Sequence, residues 1–522
     1  MATIDASSRQ VLSIRKWGGQ MIFFVNQYLM AMNSGVEHAE FKRLQLFKAH
    51  KVPAKMVTRQ FDALLHQNMR RFQLADDQMA NLFDFFRGTT TFKSKVVKID
   101  DLDFPRVTNI KPDPNVSEVL EGDRLVAKVH FVPSTVGHVY FIEIFDPFGN
   151  LVQRTDYDER GFKARDEFYS PAGEAITDLY YRPDGSRFAE AYYGHDSAGA
   201  NVVTLCKLID YEGQDYYFNG EQEWYRFFLD ELNRQNGEHN TFIADRPLAA
   251  QWPVINMRTS AQKYLWLPTP HAIDPRDQVY SNLNNAYVYG IHQYLTSLDG
   301  LITSTAQQRS DLSKWLGGQP ARPIYAISAG VVSAAQSARP KKSLAERQAH
   351  QIIYTGRVDA GRRVDQIITA FNQVHRTLAD ATLVIYGYGG AIDQLKTQVT
   401  ELKLGDSVTF AGYQPDLTQV YDQAGAYVYA GESDAEPLSL IEAIGHGVPV
   451  VAYDVNYGPR DVIKDGKNGY LIKDGAINQL AAGLLRTIEN PKRQQRLIDG
   501  AYQSSEAYGD AAVWQQWQQI LN

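Results

Sequence analysis

The stretch "GESDAEPLSLIEAIGHGVPVVAYD", residues 431–454, sets carboxylates at the mouth and in the body of an apolar helix. Asp434 stands eight positions before Glu442, and Glu436 stands six before it. Pro437 suits the first turn of a helix, where a missing N–H is no loss. The amides that follow, near Leu438, Ser439 and Leu440, then have no partner within the helix and make an anion site, for which a phosphate is the natural ligand. Glu442 lies between Leu440, Ile441, Ala443 and Ile444, so its carboxylate needs donors or a neutral form. Sugar hydroxyls would serve, and so would a structural arginine or backbone amides; on this helix alone the two readings are even. A second stretch, "IIYTGRVDAGRRVDQ", puts Arg357 just past the end of a strand and Arg362 at the start of the next helix. Two guanidiniums at one rim can clamp a diphosphate, because each is always charged and binds in a bidentate fork.

These groups need a scaffold that brings strand ends and helix starts to one edge. From Arg347 onward, strand-like and helix-like runs alternate: "QIIYTG", "RRVDQIITAFNQVHRTL", "ATLVIYG", "AIDQLKTQVTEL", "SVTFAG", "AYVYA" and "VPVVAYD". Such βα repeats predict a doubly wound parallel sheet, with ligands at the carboxyl ends of its strands. The N-terminal part opens similarly, with the strand "MIFFVN", a loop ending in Asn33, Ser34 and Gly35, a helix, and the strand "AKMVTRQF". Between about 96 and 215 the pattern becomes alternating and aromatic. It is punctuated by Gly149, Gly161, Gly173, Gly185 and Gly199, at gaps of 12, 12, 12 and 14. That spacing predicts an antiparallel β-meander with a positive-φ glycine in each hairpin turn. The meander reads as a platform rather than a chemical site. The expected division is 1–95 and 216–335 for an N-terminal Rossmann-like domain, 96–215 for the inserted β domain, 336–505 for a C-terminal Rossmann-like domain and 506–522 for a terminal helix.

Composition narrows the class. The chain has 522 residues, 44% hydrophobic and 22% charged, with a net charge of −7. A basic nucleic-acid footprint is absent. The single Cys206 excludes an internal disulfide, and a reducing cytosol is the plainest compartment. The first twenty residues are polar and mixed, and no run reaches the ~18 apolar residues of a membrane span. A cytoplasmic protein is expected, with room for contact at the inner face of the membrane. No histidine spacing suits a metal, so none is expected.

The combination "TGRVDAGRR", "GYGG", "VTFAGY" and "EPLSLIEAIGHGVPVVAYDVNYGPRDVIKDGKNGYLI" resembles the nucleotide-sugar half of retaining family-4 glycosyltransferases of the GT-B fold, over most of residues 350–475. The loop "MNSGVEHAEFKRL" and a β-meander inserted after the second strand make it similar to one Gram-positive group. That group comprises the wall teichoic acid α-glycosyltransferases and the accessory-secretion O-GlcNAc transferases of serine-rich adhesins.

The resemblance implies an α/β protein with two Rossmann-like domains facing a cleft. It implies transfer of GlcNAc or glucose from UDP-GlcNAc or UDP-glucose to a polymer hydroxyl, with no cofactor beyond that donor. The expected acceptor is Ser or Thr of a serine-rich protein. The alternatives are wall teichoic acid and a catalytically silent acceptor-binding subunit; a related subunit, or self-association through the β domain, is an expected partner. Arg357 and Arg362 would neutralise the leaving diphosphate, and Glu442 would bind the ribose. Gly412 and Tyr413 would meet the uracil, and Gly387 would lie in a loop against the donor. Ser34 and Gly35 would approach the donor phosphates, with Pro437, Leu438 and Ser439 opposite. His271 would stand near the transferred sugar. Two departures stand out: the family has lysine where Arg362 stands, and glutamate where Asp434 stands. Either Asp434 or Glu436 would then hold the sugar hydroxyls.

Overall fold

A computed structural model of the protein describes residues 20–104 and 109–521; the polar stretch before residue 20 lies outside them. Among the described residues the strands form three sheets. The first is parallel, in the order Ile324–Ala326, Gly300–Thr303, Gln262–Leu267, Thr241–Ala244, Ile22–Val25, Ala54–Thr58, Met79–Asn81. All four residues of Ile22–Val25 are buried, since the strand lies inside the sheet. That is why "IFFV" shows no alternation of apolar and polar residues. The insertion does not follow the second strand, as the resemblance suggested. Met79–Asn81 pairs with Ala54–Thr58 as a third strand, and the helix Leu82–Arg87 comes next. Three residues are too few to show a period in the sequence.

The second sheet has ten antiparallel strands, from Asn109–Lys111 to Gln214–Phe218, each paired with its neighbour in sequence. The five spaced glycines sit in its hairpin turns with φ between 81° and 91°, as the spacing predicts. Gly161 is doubly constrained, because a Cβ there would lie 1.5 Å from the Lys95 carbonyl oxygen. Its neighbour Arg160 locks the meander to the helix Leu82–Arg87 and the turn after it. The guanidinium is buried and donates to Asp158, to Asp84 at 2.8 Å and to the Thr89 carbonyl at 2.5 Å. Burying such charge is tolerable only with all partners in place.

The third sheet is parallel, in the order Val408–Gly412, Thr382–Tyr386, Gln348–Thr355, Ala424–Tyr429, Val450–Asp454, Gly469–Lys473. The final helix, Asp510–Leu521, returns from this lobe to the first. Its Trp517 is fully buried, with ring centroids 5.8 Å from Phe24, 5.0 Å from Phe47 and 5.7 Å from Trp266. No described helix is long and apolar enough to cross a membrane.

Glu436 also joins the lobes, through a segment whose Ser328 amide donates to Gln516 of the final helix at 2.8 Å. Its Oε2 accepts from Ser328 Oγ and the Ala329 amide, both at 2.8 Å, and from the Gly330 amide at 3.4 Å. Burial pushes its carboxyl from an ordinary 4.5 up to about 8, against the pull of those donors. The folded protein therefore holds a proton that the unfolded chain releases. Stability from this group is present below the ordinary value and is lost as pH rises through about 8. Glu436→Gln is expected to flatten that loss. In thermal scans from about pH 5 to about pH 9, the parent should lose melting temperature relative to the variant. Parallel curves would remove the assignment.

Candidate functional site

The two lobes enclose a cleft of about 790 Å³. Twelve of the residues singled out in the sequence line it: Ser34, Gly35, Arg357, Arg362, Gly387 and Tyr413, and from the opening stretch Asp434, Glu436, Pro437, Leu438, Ser439 and Glu442. Gly412 and His271 do not.

The helix Leu438–Gly445 starts directly after Pro437, which serves as its N-cap and offers no side-chain cap to the first amides. Those donors face a lined space rather than a capping residue, as an anion site requires. Arg362 closes the short turn Ala360–Arg362, and its Nη1 lies 2.6 Å from Asp434 Oδ2 and 3.0 Å from Tyr429 Oη. The Asp434 carboxylate holds the Arg362 guanidinium well above its usual range, so the cation is permanent. A long cation thus meets a short acid where the family pattern has a shorter cation and a longer acid. Arg357 is freer: its side chain is 53% exposed, with Nη1 3.0 Å from Asp359.

Of the two candidate acids before the helix, Asp434 is the one directed at the cleft cations. Glu436 lines the cleft too, but its Oε2 is committed to residues 328–330. Glu442 accepts from Tyr421 Oη at 3.0 Å, and its Oε1 lies 3.2 Å from Lys42 Nζ. Lys42 comes from the helix Gly35–Ala49 of the opposite lobe, so this ion pair crosses the cleft.

On the N-terminal side Ser34 caps its helix, with Oγ accepting from the Val36 amide and donating to Glu37 at 2.7 Å. Arg246 pairs with Glu37 and reaches Ser34 Oγ at 3.3 Å. A Cβ on Gly35 would meet nothing within 4 Å, so the space beside it belongs to the cleft. Tyr413 Oη meets His38 Nε2 at 3.1 Å and the Asn33 amide at 3.4 Å, closing one end. Burial holds the His38 imidazole below its ordinary value.

The remaining glycines have backbone reasons. A Cβ on Gly387 would lie 1.8 Å from the Gly356 oxygen. Gly412 has φ 71°, and its carbonyl accepts from the Gly387 amide at 2.9 Å. His271 is fully buried, with Nε2 2.8 Å from the Gln278 carbonyl, and burial lowers it to about 4. It stacks near Tyr457 at 6.5 Å, behind Thr269, which does line the cleft. Sequence reasoning missed His38, Lys42 and Arg246. His38 and Lys42 are four apart on one helix, which puts them on one face. That spacing was a readable signal, but nothing local says what the face meets. Among the described residues no group of three or more His, Cys, Asp or Glu is placed to hold a metal ion.

Comparison with known proteins fits this geometry. A family described as an accessory Sec system protein matches residues 14–287, more than half of the chain. "Glycosyl transferases group 1" matches residues 336–504. The chain is 25% identical over 518 residues to the UDP-N-acetylglucosamine–peptide N-acetylglucosaminyltransferase GtfA subunit of Streptococcus gordonii, covering 96% of this chain and 98% of that one. In structure it is similar to the pneumococcal O-GlcNAc transferase GtfA in complex with UDP and GlcNAc, with TM-score 0.82 and 22% identity over 97% of this chain and 99% of that one. It is also similar to S. aureus TarM, as a point mutant in complex with fondaparinux, alpha-GlcNAc-glycerol and UDP. There the TM-score is 0.80 and the identity 20%, over 96% of this chain and 100% of that one. With two parallel-sheet lobes about one cleft and both family patterns in register with them, the chain belongs to this accessory Sec system protein family and is a GT-B glycosyltransferase.

Proposed function

We propose that the protein transfers GlcNAc or glucose, with retention, from a UDP-sugar to Ser or Thr of a serine-rich surface protein. The observation that carries this is the convergence of Arg357, Arg362 and the uncapped amides of Leu438–Gly445 on one cleft that also holds Asp434 and Glu442. Breaking the anomeric bond leaves negative charge on the departing phosphate and positive charge on the sugar. Arg362, held by Asp434 and Tyr429, and the helix amides are preorganised for the first charge, and the half-exposed Arg357 turns to join them, which lowers the barrier. Asp434 aims Arg362 and holds sugar hydroxyls; Glu442 takes the ribose, with Lys42 beside it. Tyr413 and His38 close on the base. The donor phosphate accepts the acceptor's proton on the leaving side.

The Ser/Thr acceptor is supported by similarity to the GtfA subunit, and so is a related partner chain; self-association through the β domain is the alternative. A polyol-phosphate acceptor of the teichoic acid kind is the second reading, supported by the TarM likeness in fold. A silent acceptor-binding subunit is the third, motivated by Arg362 and Asp434. The site of action in all three is cytoplasmic, with peripheral contact at the inner membrane face.

Mass spectrometry of a serine-rich peptide and of poly(glycerol-phosphate), each incubated with UDP-GlcNAc and with UDP-glucose, is expected to find N-acetylhexosamine from the first donor or hexose from the second added to the peptide. Addition to the polyol alone would move the acceptor to the second reading, and no addition to either without a partner chain would favour the third. Arg357→Ala is expected to lower kcat by ~10²–10³. Its melting temperature should stay near the parent's, because the side chain is half exposed and its ion-pair partner is Asp359. Turnover within twofold of the parent would dismiss the clamp. Because side-chain cations do this work, EDTA is expected to leave the rate unchanged, and strict dependence on added Mn²⁺ would refute that mechanism.

A further inference from the structure

We propose that Arg363 is a positioning residue, a staple that fixes the loop carrying Asp434 to the start of the helix Val364–Thr377; the catalytic part of this rests on the function proposed above. Arg363 adopts φ 50° and ψ 41°, a left-handed conformation that a side chain resists. Such backbone persists where its surroundings over-determine it. Here they do. Nε donates to the Ala430 carbonyl at 2.8 Å and Nη2 to the Gly431 carbonyl at 3.0 Å. Nη1 lies 2.8 Å from Asp474, and the guanidinium sits 5.2 Å over the Tyr453 ring. The side chain is 15% exposed and does not line the cleft.

The neighbouring residues make the same connection. The Gly361 carbonyl accepts from the Glu432 amide at 2.9 Å, and Arg362 grips Tyr429 and Asp434. Three consecutive residues therefore bind one irregular loop, residues 430–437, which leads directly into the uncapped helix. The left-handed turn at Arg363 allows Arg362 to face the cleft while Arg363 faces the back of the loop. Without the staple the loop keeps only the Arg362 and Gly361 links, so the Arg362–Asp434 pair stays joined but drifts on a looser loop away from its place before the uncapped helix.

The test uses Arg363→Gly in the full chain. Glycine accepts the left-handed backbone and deletes the guanidinium, so a structural loss and a positioning loss come apart. The melting temperature is expected within about 3 °C of the parent. Without any substrate, amide hydrogen exchange of residues 431–436 should quicken about tenfold or more. Turnover of the UDP-sugar should fall about tenfold in kcat, with KM for the donor within about threefold. Asp474→Asn loosens the same guanidinium without touching the strained backbone. It should act in the same direction at about threefold, and it serves if the glycine variant does not fold.

Unchanged exchange in both variants overturns the staple, whatever the turnover. Faster exchange with kcat within twofold of the parent overturns its role in positioning. If the parent itself turns over no UDP-sugar while exchange quickens, the transfer reading fails and the staple stands.

Discussion

The first turn of Leu438–Gly445 leaves its amides without a side-chain cap, and much of the site follows from that open helix end. A carboxylate just before a helix is the usual partner for such donors. This chain places two acids there and commits both elsewhere. Asp434 is bound to Arg362, and Glu436 reaches back to residues 328–330. Positive potential is thereby left pointing into the cleft, where Arg357 and Arg362 add to it. An anionic group entering the cleft supplies what the polypeptide withholds from itself.

An open anion site works only if its walls keep their spacing. Two Rossmann-like lobes joined by a single crossing would swing freely. Here two contacts at the joint fix that spacing, and the Ser328 amide ties them together through Gln516 at 2.8 Å. Trp517 inserts among Phe24, Phe47 and Trp266, and Glu436 gathers three donors from the crossing segment. One contact is aromatic packing and the other is hydrogen bonding. Among the described residues none of the inserted meander lines the cleft, yet the meander is tied to the N-terminal lobe through Arg160.

The fold was legible wherever periodicity was long. The βα runs after Arg347 and the glycines between Gly149 and Gly199 appear as read, because each repeats a local rule. Met79–Asn81 was illegible, being too short to carry a period. The cations and the helix start of the site were legible from Pro437, Arg357 and Arg362, since strand ends and helix starts converge in this topology. What remained hidden was pairing across long separations. Glu436 finds partners 106 to 108 residues away, and Asn33 meets Tyr413 across 380. Lys42 meets Glu442 over a still longer separation. The burial of His271 was hidden for a related reason. A motif places it beside the cleft, but only the packed structure shows Thr269 on the lining and the imidazole sealed against Gln278.

The Lys42–Glu442 contact spans the two lobes at 3.2 Å with both side chains partly wetted. A hydroxyl-bearing ligand that draws Glu442 away from Lys42 exchanges with an ammonium ion rather than with water alone. Such an exchange weakens an electrostatic tie between the facing walls at the moment the ligand begins to bridge them itself. Added salt loosens the same tie by screening, so ionic strength and occupancy act on a common latch.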